Sequence, residues 1–313
     1  MLDFCLNIYV CGYNERCDMP IVFKNPLLPD YFVGAANVRR DASLEEVVPV
    51  VDLYEAGKVI YFPELRLDIN HDFWAALSTD EYPELKKLKS DPGIDPSKDD
   101  VLAKGVAKSG LPKAVAAGLR QQITQLTEQI FPIYERLFAG YEFVHRRAVW
   151  RLNTTLNENL HLDTYHDVSL DHFARMFINL DNQPRIWHTS WRADELFERF
   201  APEVPPDVLT KGSADQFRTA INKAAFGGAT AIWWDGQPRH VIYFQPGDVW
   251  VVDSRQVSHQ IFYGRRAVSI DFRVTPGSML DPKRQYLAMA DSALAKINQQ
   301  SFQPRAEAAG VAS

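Results

Sequence analysis

Apolar positions recur at helical spacing over one long stretch, 112–139, where Val115, Leu119, Ile123, Leu126, Ile130, Ile133 and Leu137 fall on a single face and Gly140 follows as a stop. That stripe predicts a long helix packed across the face of a sheet. After Gly140 the pattern shortens to strand-like segments at 143–153, 160–164, 174–180, 185–189, 229–234, 240–244, 249–253, 259–262 and 267–274. Many short strands mean a sandwich or barrel, so the predicted class is α+β with an all-β centre.

Upstream, residues 1–45 carry Asn, Pro and Asp without a sustained period and read as an irregular arm or an edge strand. A short helix is expected over 44–57, ended by Gly57, then a strand at KVIYF (58–62) capped by Pro63. The polar, turn-rich stretch 85–110 reads as a surface loop, with a lid over a site as the sharper alternative. A helical insertion at 192–226 interrupts the strands, and a helix near 283–297 precedes a polar tail at 301–313 that is expected to be disordered. The organisation expected is one domain over 46–300 between an arm and a tail.

A net charge of -6 gives no global electrostatic reason to bind nucleic acid or an anionic membrane. The three cysteines, Cys5, Cys11 and Cys17, lack zinc-ribbon spacing and suit a reducing cytoplasm. No run approaches the roughly 18 apolar residues of a membrane span, and Asp3, Asn7 and Asn14 break up the start where a signal peptide needs an apolar stretch. The expectation is a cytoplasmic protein with neither span nor leader.

The chemistry gathers in the run NLHLDTYHD. In a strand, positions two apart face the same side, so His161 and Asp163 can present an imidazole and a carboxylate to one point. A third ligand has to come from elsewhere in the sheet, and His259 stands out because it follows a Pro-Gly-Asp turn and a strongly apolar strand. Two histidines and one carboxylate with open positions form the set that suits iron(II). On 267–274, Ser269, Asp271 and Arg273 alternate with Val268, Ile270 and Phe272. An arginine on that polar face is costly to bury without an anion, and a dicarboxylate would be a bidentate partner for it. Around these, Arg175, Phe177 and Asn179 share a face, with Asn179 read as a cosubstrate or ligand contact. Tyr165 and His166 follow the first ligands and would rim a pocket. Arg151 could meet an acidic substrate, and Arg175 and Trp187 complete the substrate-facing candidates. Trp233 and Trp234 read as core or as marks of a different pocket.

These residues resemble the 2-oxoglutarate-dependent iron oxygenases, whose fold carries His-x-Asp, a distal His and a basic residue on the following strand. The resemblance implies a double-stranded β-helix of jelly-roll, cupin-like form with helices on one face. It also implies Fe(II) held by His161, Asp163 and His259, with 2-oxoglutarate and O₂ as cosubstrates and succinate and CO₂ as coproducts. In a branch similar to clavaminate synthase the basic residue would be Arg273; in other branches it comes earlier, which leaves Arg266 as second choice. The Arg265-Arg266 pair otherwise reads as a solvated turn. The chain is similar, more closely, to bacterial hydroxylases of 3-deoxy-D-manno-oct-2-ulosonic acid (Kdo) from about residue 48 to 275. The segments that carry this likeness are LYEAGKVIYFPEL, HLDTYHD, ARMFINLDNQPRIWHTSWRADELFERFAP and PGDVWVVDS. It implies hydroxylation of an unactivated C–H in a small substrate, an acidic sugar or an amino-acid-like molecule. Desaturation or ring closure stays open, as do a silent cupin-like binding module and another metal-dependent cupin enzyme.

Overall fold

The computed structural model describes residues 20–36, 38–39, 45–92, 98–152, 155–156, 159–163, 171–227 and 236–301. The three cysteines, Tyr165, His166, the 229–234 strand with Trp233 and Trp234, and residues 302–313 lie outside the described residues.

The arm contributes two edge strands, β1 (Ile21–Phe23) and β2 (Phe32–Gly34). Helix α1 (Val51–Glu55) is much shorter than expected, and strand β3 (Val59–Tyr61) follows the positive-φ Gly57. The stretch before α1 is not helical because its backbone is drawn onto the long helix: Val50 N donates to Leu137 O at 2.9 Å, and Arg136 Nε to Val47 O at 3.1 Å. Helix α2 (His71–Ala76) is capped by Asn70. The expected loop at 85–110 instead contains β4 (Leu88–Ser90) and α3 (Asp100–Lys108), with Asp99 capping Val101 N and Leu102 N. Its few apolar residues decide this, since Leu88, Leu102 and Val106 are all buried and Gly105 leaves room for Leu88.

Helix α4 (Lys113–Leu137) matches the stripe that predicts it. Then come β5 (Phe143–His145), β6 (Ala148–Arg151), β7 (Thr155–Leu156), β8 (His172–Asn179) and β9 (Arg185–Arg192). Three helices occupy the insertion, α5 (Ala193–Phe200), α6 (Pro206–Lys211) and α7 (Ala214–Phe226). Strands β10 (His240–Phe244), β11 (Val249–Val251), β12 (Val257–Gly264) and β13 (Ala267–Val274) precede α8 (Tyr286–Ser301). No helix among the described residues is long and apolar enough to cross a membrane.

The strands form two large sheets. One has the order β1-β10-β9-β12-β7; the other runs β2-β3-β11-β8-β13-β6-β4, with β5 also on β13. Between them lies an aromatic core that includes Phe177, Trp187, Phe244 and Trp250. Helix α4 covers the outer face of the larger sheet, where Tyr134 meets Phe272 and donates its hydroxyl to Ala174 O at 2.9 Å. Helices do not sit on one face only: α5, α7 and α8 build a separate apolar core that takes in Leu160, Leu162 and Trp191.

A buried polar chain ties α1 to β8. Tyr141 donates its hydroxyl to Glu55 Oε1 at 2.9 Å and lies 3.2 Å from His172 Nε2, while Asp253 is 3.7 Å from His172 Nδ1. Burial pushes His172 down to about 4, against the opposing pull of Asp253. An unfolded histidine takes its proton near 6.5, so between pH 6.5 and 4 the unfolded chain binds a proton that the folded chain refuses. His172 is therefore expected to contribute a fall of about 3 kcal/mol as pH drops through that window and nothing above it. Urea midpoints of the metal-free protein should track this fall. The same series on His172→Gln should be flatter, and an unchanged slope would remove His172 as its source.

Candidate metal centre

The segment from Asn159 to Asp163 forms no strand beyond one isolated bridge, in which His161 N donates to His259 O at 3.1 Å and His259 N to His161 O at 2.9 Å. Alternation still sorts its side chains. Leu160 and Leu162 enter the core of α5, α7 and α8, which turns His161 and Asp163 to the opposite side. Helix α7 then holds the segment: Asn222 Nδ2 donates to Leu162 O and Asn222 Oδ1 accepts from Leu162 N, both at 2.9 Å. Arg218 Nη1 donates to Asp163 O at 3.2 Å, and Asp163 N donates to Ser254 O at 2.9 Å.

One ligand atom from each of His161, Asp163 and His259 lies within 4.8 Å of the others. The tautomers follow from the backbone. His161 Nδ1 is 2.7 Å from Asn159 O and His259 Nδ1 is 3.3 Å from Val257 O. A carbonyl can only accept, so Nδ1 carries a hydrogen in both rings and Nε2 is the nitrogen left to face the site, with His161 Nε2 3.5 Å from Asp163 Oδ1. Burial pushes His259 down to about 3, so its ring is neutral. Burial works to raise the Asp163 carboxyl, but the Arg175 guanidinium beside it outweighs that and holds it well below the usual range. A neutral imidazole at His259 and a carboxylate anion at Asp163 are protonation states that a divalent ion needs. The donor set fits ferrous iron.

The three side chains open on a cavity of about 250 Å³ between the two sheets. Trp187 lines it and stacks on His259, ring centroids 5.1 Å apart. Arg151 and Arg185 also line it. By register they belong to the end away from the metal ligands: Arg151 pairs with Ala267 across β6 and β13, and Arg185 opens β9 and packs on Gly264. A Cβ at Gly264 would come 2.7 Å from Arg185 Cγ, so glycine is what lets that arginine lie there.

Other expected contacts fall elsewhere. Arg273 does not line the cavity; it sits past Asp271 on β13, opposite His145, with Nη1 3.3 Å from Asp171. Arg266 is buried on the far side, donating to the carbonyls of Trp74 and Leu152 at 3.0 Å and to Leu77 O. It is a backbone staple, and only Arg265 behaves as a surface turn residue, forked onto Asp181. Asn179 spends its amide on Gln183 O, Phe244 O and Gln245 O, closing a turn. Arg175 does reach the cavity, but its guanidinium faces Asp163, Ser254 and Asp271. Arg185, Ser254, Arg218 and Asn222 were not among the sequence candidates. Only Arg185 carried a signal, a lone cation opening an apolar strand after DNQP.

A family model for 3-deoxy-D-manno-oct-2-ulosonic acid (Kdo) hydroxylases matches residues 39–223 of the chain. The chain belongs to the Kdo hydroxylase family. The matched stretch contains His161, Asp163, Arg151 and Arg185, while His259 lies beyond it. Solved structures of the Kdo hydroxylase KdoO, a non-haem Fe(II) α-ketoglutarate-dependent dioxygenase, share the fold. Its complex with succinate and Fe(III) is 15% identical and covers 88% of this chain and 100% of KdoO at a TM-score of 0.64. The complex with α-ketoglutarate and Fe(III) is also 15% identical, covering 85% and 96% at 0.64. The apo form is 16% identical and covers 88% and 100% at 0.60. No curated protein matches this member of the Kdo hydroxylase family.

Proposed function

We propose that this chain is an iron(II)- and 2-oxoglutarate-dependent hydroxylase of a Kdo-type acidic sugar, built on a double-stranded β-helix. The observation that carries the reading is the convergence of His161, Asp163 and His259 on a cavity that is also lined by Arg151 and Arg185 besides Arg175. His161 and His259 would hold the metal through Nε2, and Asp163 through Oδ1. When bound, ferrous iron with 2-oxoglutarate and O₂ supplies the oxidising chemistry that hydroxylates a C–H and releases succinate and CO₂.

The chain's own residues do the rest. Arg185, with Arg151 beside it, would take the distal carboxylate of 2-oxoglutarate and so orient the molecule along the cavity, a role expected from sequence for Arg273 or Arg266. Trp187, Phe177 and Ile261 line the same space with apolar surface and exclude water. Because Asp163 occupies its position with a carboxylate, the ligand set favours hydroxylation over halogenation.

The test is spectroscopic and catalytic. Anaerobic addition of iron(II) and 2-oxoglutarate to the purified chain should give the weak visible charge-transfer band of a chelate. Admitting O₂ with a Kdo-terminated acceptor should release succinate above the rate without acceptor. Absence of the band favours a silent binding module. A band without acceptor-dependent succinate would redirect the search to other small acids.

A further inference from the structure

We propose that Arg175 is a positioning residue that, with Ser254, holds one oxygen of Asp163 so that only the other is offered to the metal. The inference rests on the metal-centre reading above and extends it to how the carboxylate is aimed.

Arg175 comes from β8 and is 2% exposed. Its Nη1 donates to Asp163 Oδ2 and to Ser254 Oγ, and Ser254 Oγ in turn donates to the same Oδ2 at 2.6 Å. These two donors therefore meet on Oδ2. The second oxygen, Oδ1, is the one 3.5 Å from His161 Nε2 and so the one facing the other ligands. A carboxylate has two equivalent oxygens in water. Here they are made unequal by the frame around them.

That frame is rigid because Arg175 is itself held. Its Nε donates to Asp271 Oδ1 at 2.5 Å and its Nη2 to Ser269 Oγ at 3.3 Å, while the guanidinium lies over the Phe177 ring at 5.0 Å. A buried cation beside a dication site is costly unless an anion balances it. Asp271 supplies that anion, and its other oxygen is 3.7 Å from the half-exposed Arg147. The donors on all three nitrogens of Arg175 point at protein oxygens, which explains why an arginine lining the cavity acts through Asp163 rather than on a ligand. Pinning Oδ2 keeps Asp163 from swinging to chelate with both oxygens, which would occupy a position the cosubstrate or O₂ needs.

The experiment titrates metal-free wild type, Arg175→Lys and Ser254→Ala with Mn(II), reading free Mn(II) by electron paramagnetic resonance without cosubstrate. Melting midpoints of the metal-free proteins are recorded in parallel. Lysine keeps the charge and loses the fork, so the change reads aim rather than electrostatics. Arg175→Lys should bind Mn(II) roughly 10- to 100-fold more weakly, and Ser254→Ala should show a smaller loss in the same direction. Affinity within twofold of wild type in both variants overturns the proposal, even if their midpoints fall, since that pattern belongs to a purely structural ion pair. Should Arg175→Lys fail to fold, Ser254→Ala decides alone by the same criterion. His259→Ala in the same titration separates the two readings. If it binds as tightly as wild type, the metal centre itself fails and this proposal with it; if it binds weakly while the other variants match wild type, only the role of Arg175 falls.

Discussion

His259→Ala is expected to reduce succinate release to the level without enzyme, while leaving a folded chain. The backbone of residue 259 is paired in both directions with residue 161, and alanine keeps both hydrogen bonds. What disappears is the imidazole, one of three ligands, together with its stack on Trp187. The two remaining side chains, two positions apart in sequence, form a weak chelate, so both metal affinity and turnover collapse together. The lost packing faces an existing cavity, so the stability cost should stay near 1–2 kcal/mol, low for a buried ring. His188→Ala is the control. His188 lies on the neighbouring strand, hydrogen-bonds Gln260 at 2.9 Å and does not line the cavity, so its loss should leave turnover close to wild type. Succinate assays beside circular dichroism check both; full activity in a metal-loaded His259→Ala would remove the centre.

The second large effect concerns the cosubstrate. Arg185→Leu should raise the 2-oxoglutarate KM by roughly 30- to 150-fold, the equivalent of about 2–3 kcal/mol for a charge-assisted pair to a buried carboxylate. Leucine retains much of the apolar stem that packs on Gly264, so the loss isolates the guanidinium. Arg273→Leu provides the contrast, because its side chain meets Asp171 outside the cavity and its removal should leave that KM within about twofold. Steady-state kinetics on the two variants decide between the register read from the sequence and the one in the fold. A large KM increase in Arg273→Leu alone would restore the sequence expectation.

The elements with clean patterns were legible from the chain. The seven-residue stripe of α4 and the alternation of β13 locate those elements closely, because their faces meet different surroundings. The proximity of His161 and Asp163 was legible for a related reason: Leu160 and Leu162 mark which side of the segment is buried in apolar core, and His161 and Asp163 must then face the other way. Arginine roles were not legible. Whether Arg266, Arg273, Arg175 or Arg185 meets the cavity depends on which strand end lies beside the ligands, and only the pairing register fixes that. The same alternation that correctly put Ser269, Asp271 and Arg273 on one face says nothing about how far along that face the cavity extends. Helix α3 escaped notice because its two buried residues, Leu102 and Val106, lie in a stretch dominated by polar ones. Asn222 had no signal, since its partner Leu162 lies sixty positions earlier.

The dependence of the His161–Asp163 segment on Asn222 and Arg218 also sets a timetable. A growing chain carries its first two ligands long before the helix that frames them, and the last ligand emerges 98 residues after His161 (259 minus 161). Until then a passing ion meets only a short, unframed chelate. A three-ligand site is thus deferred until strand β12 has been made.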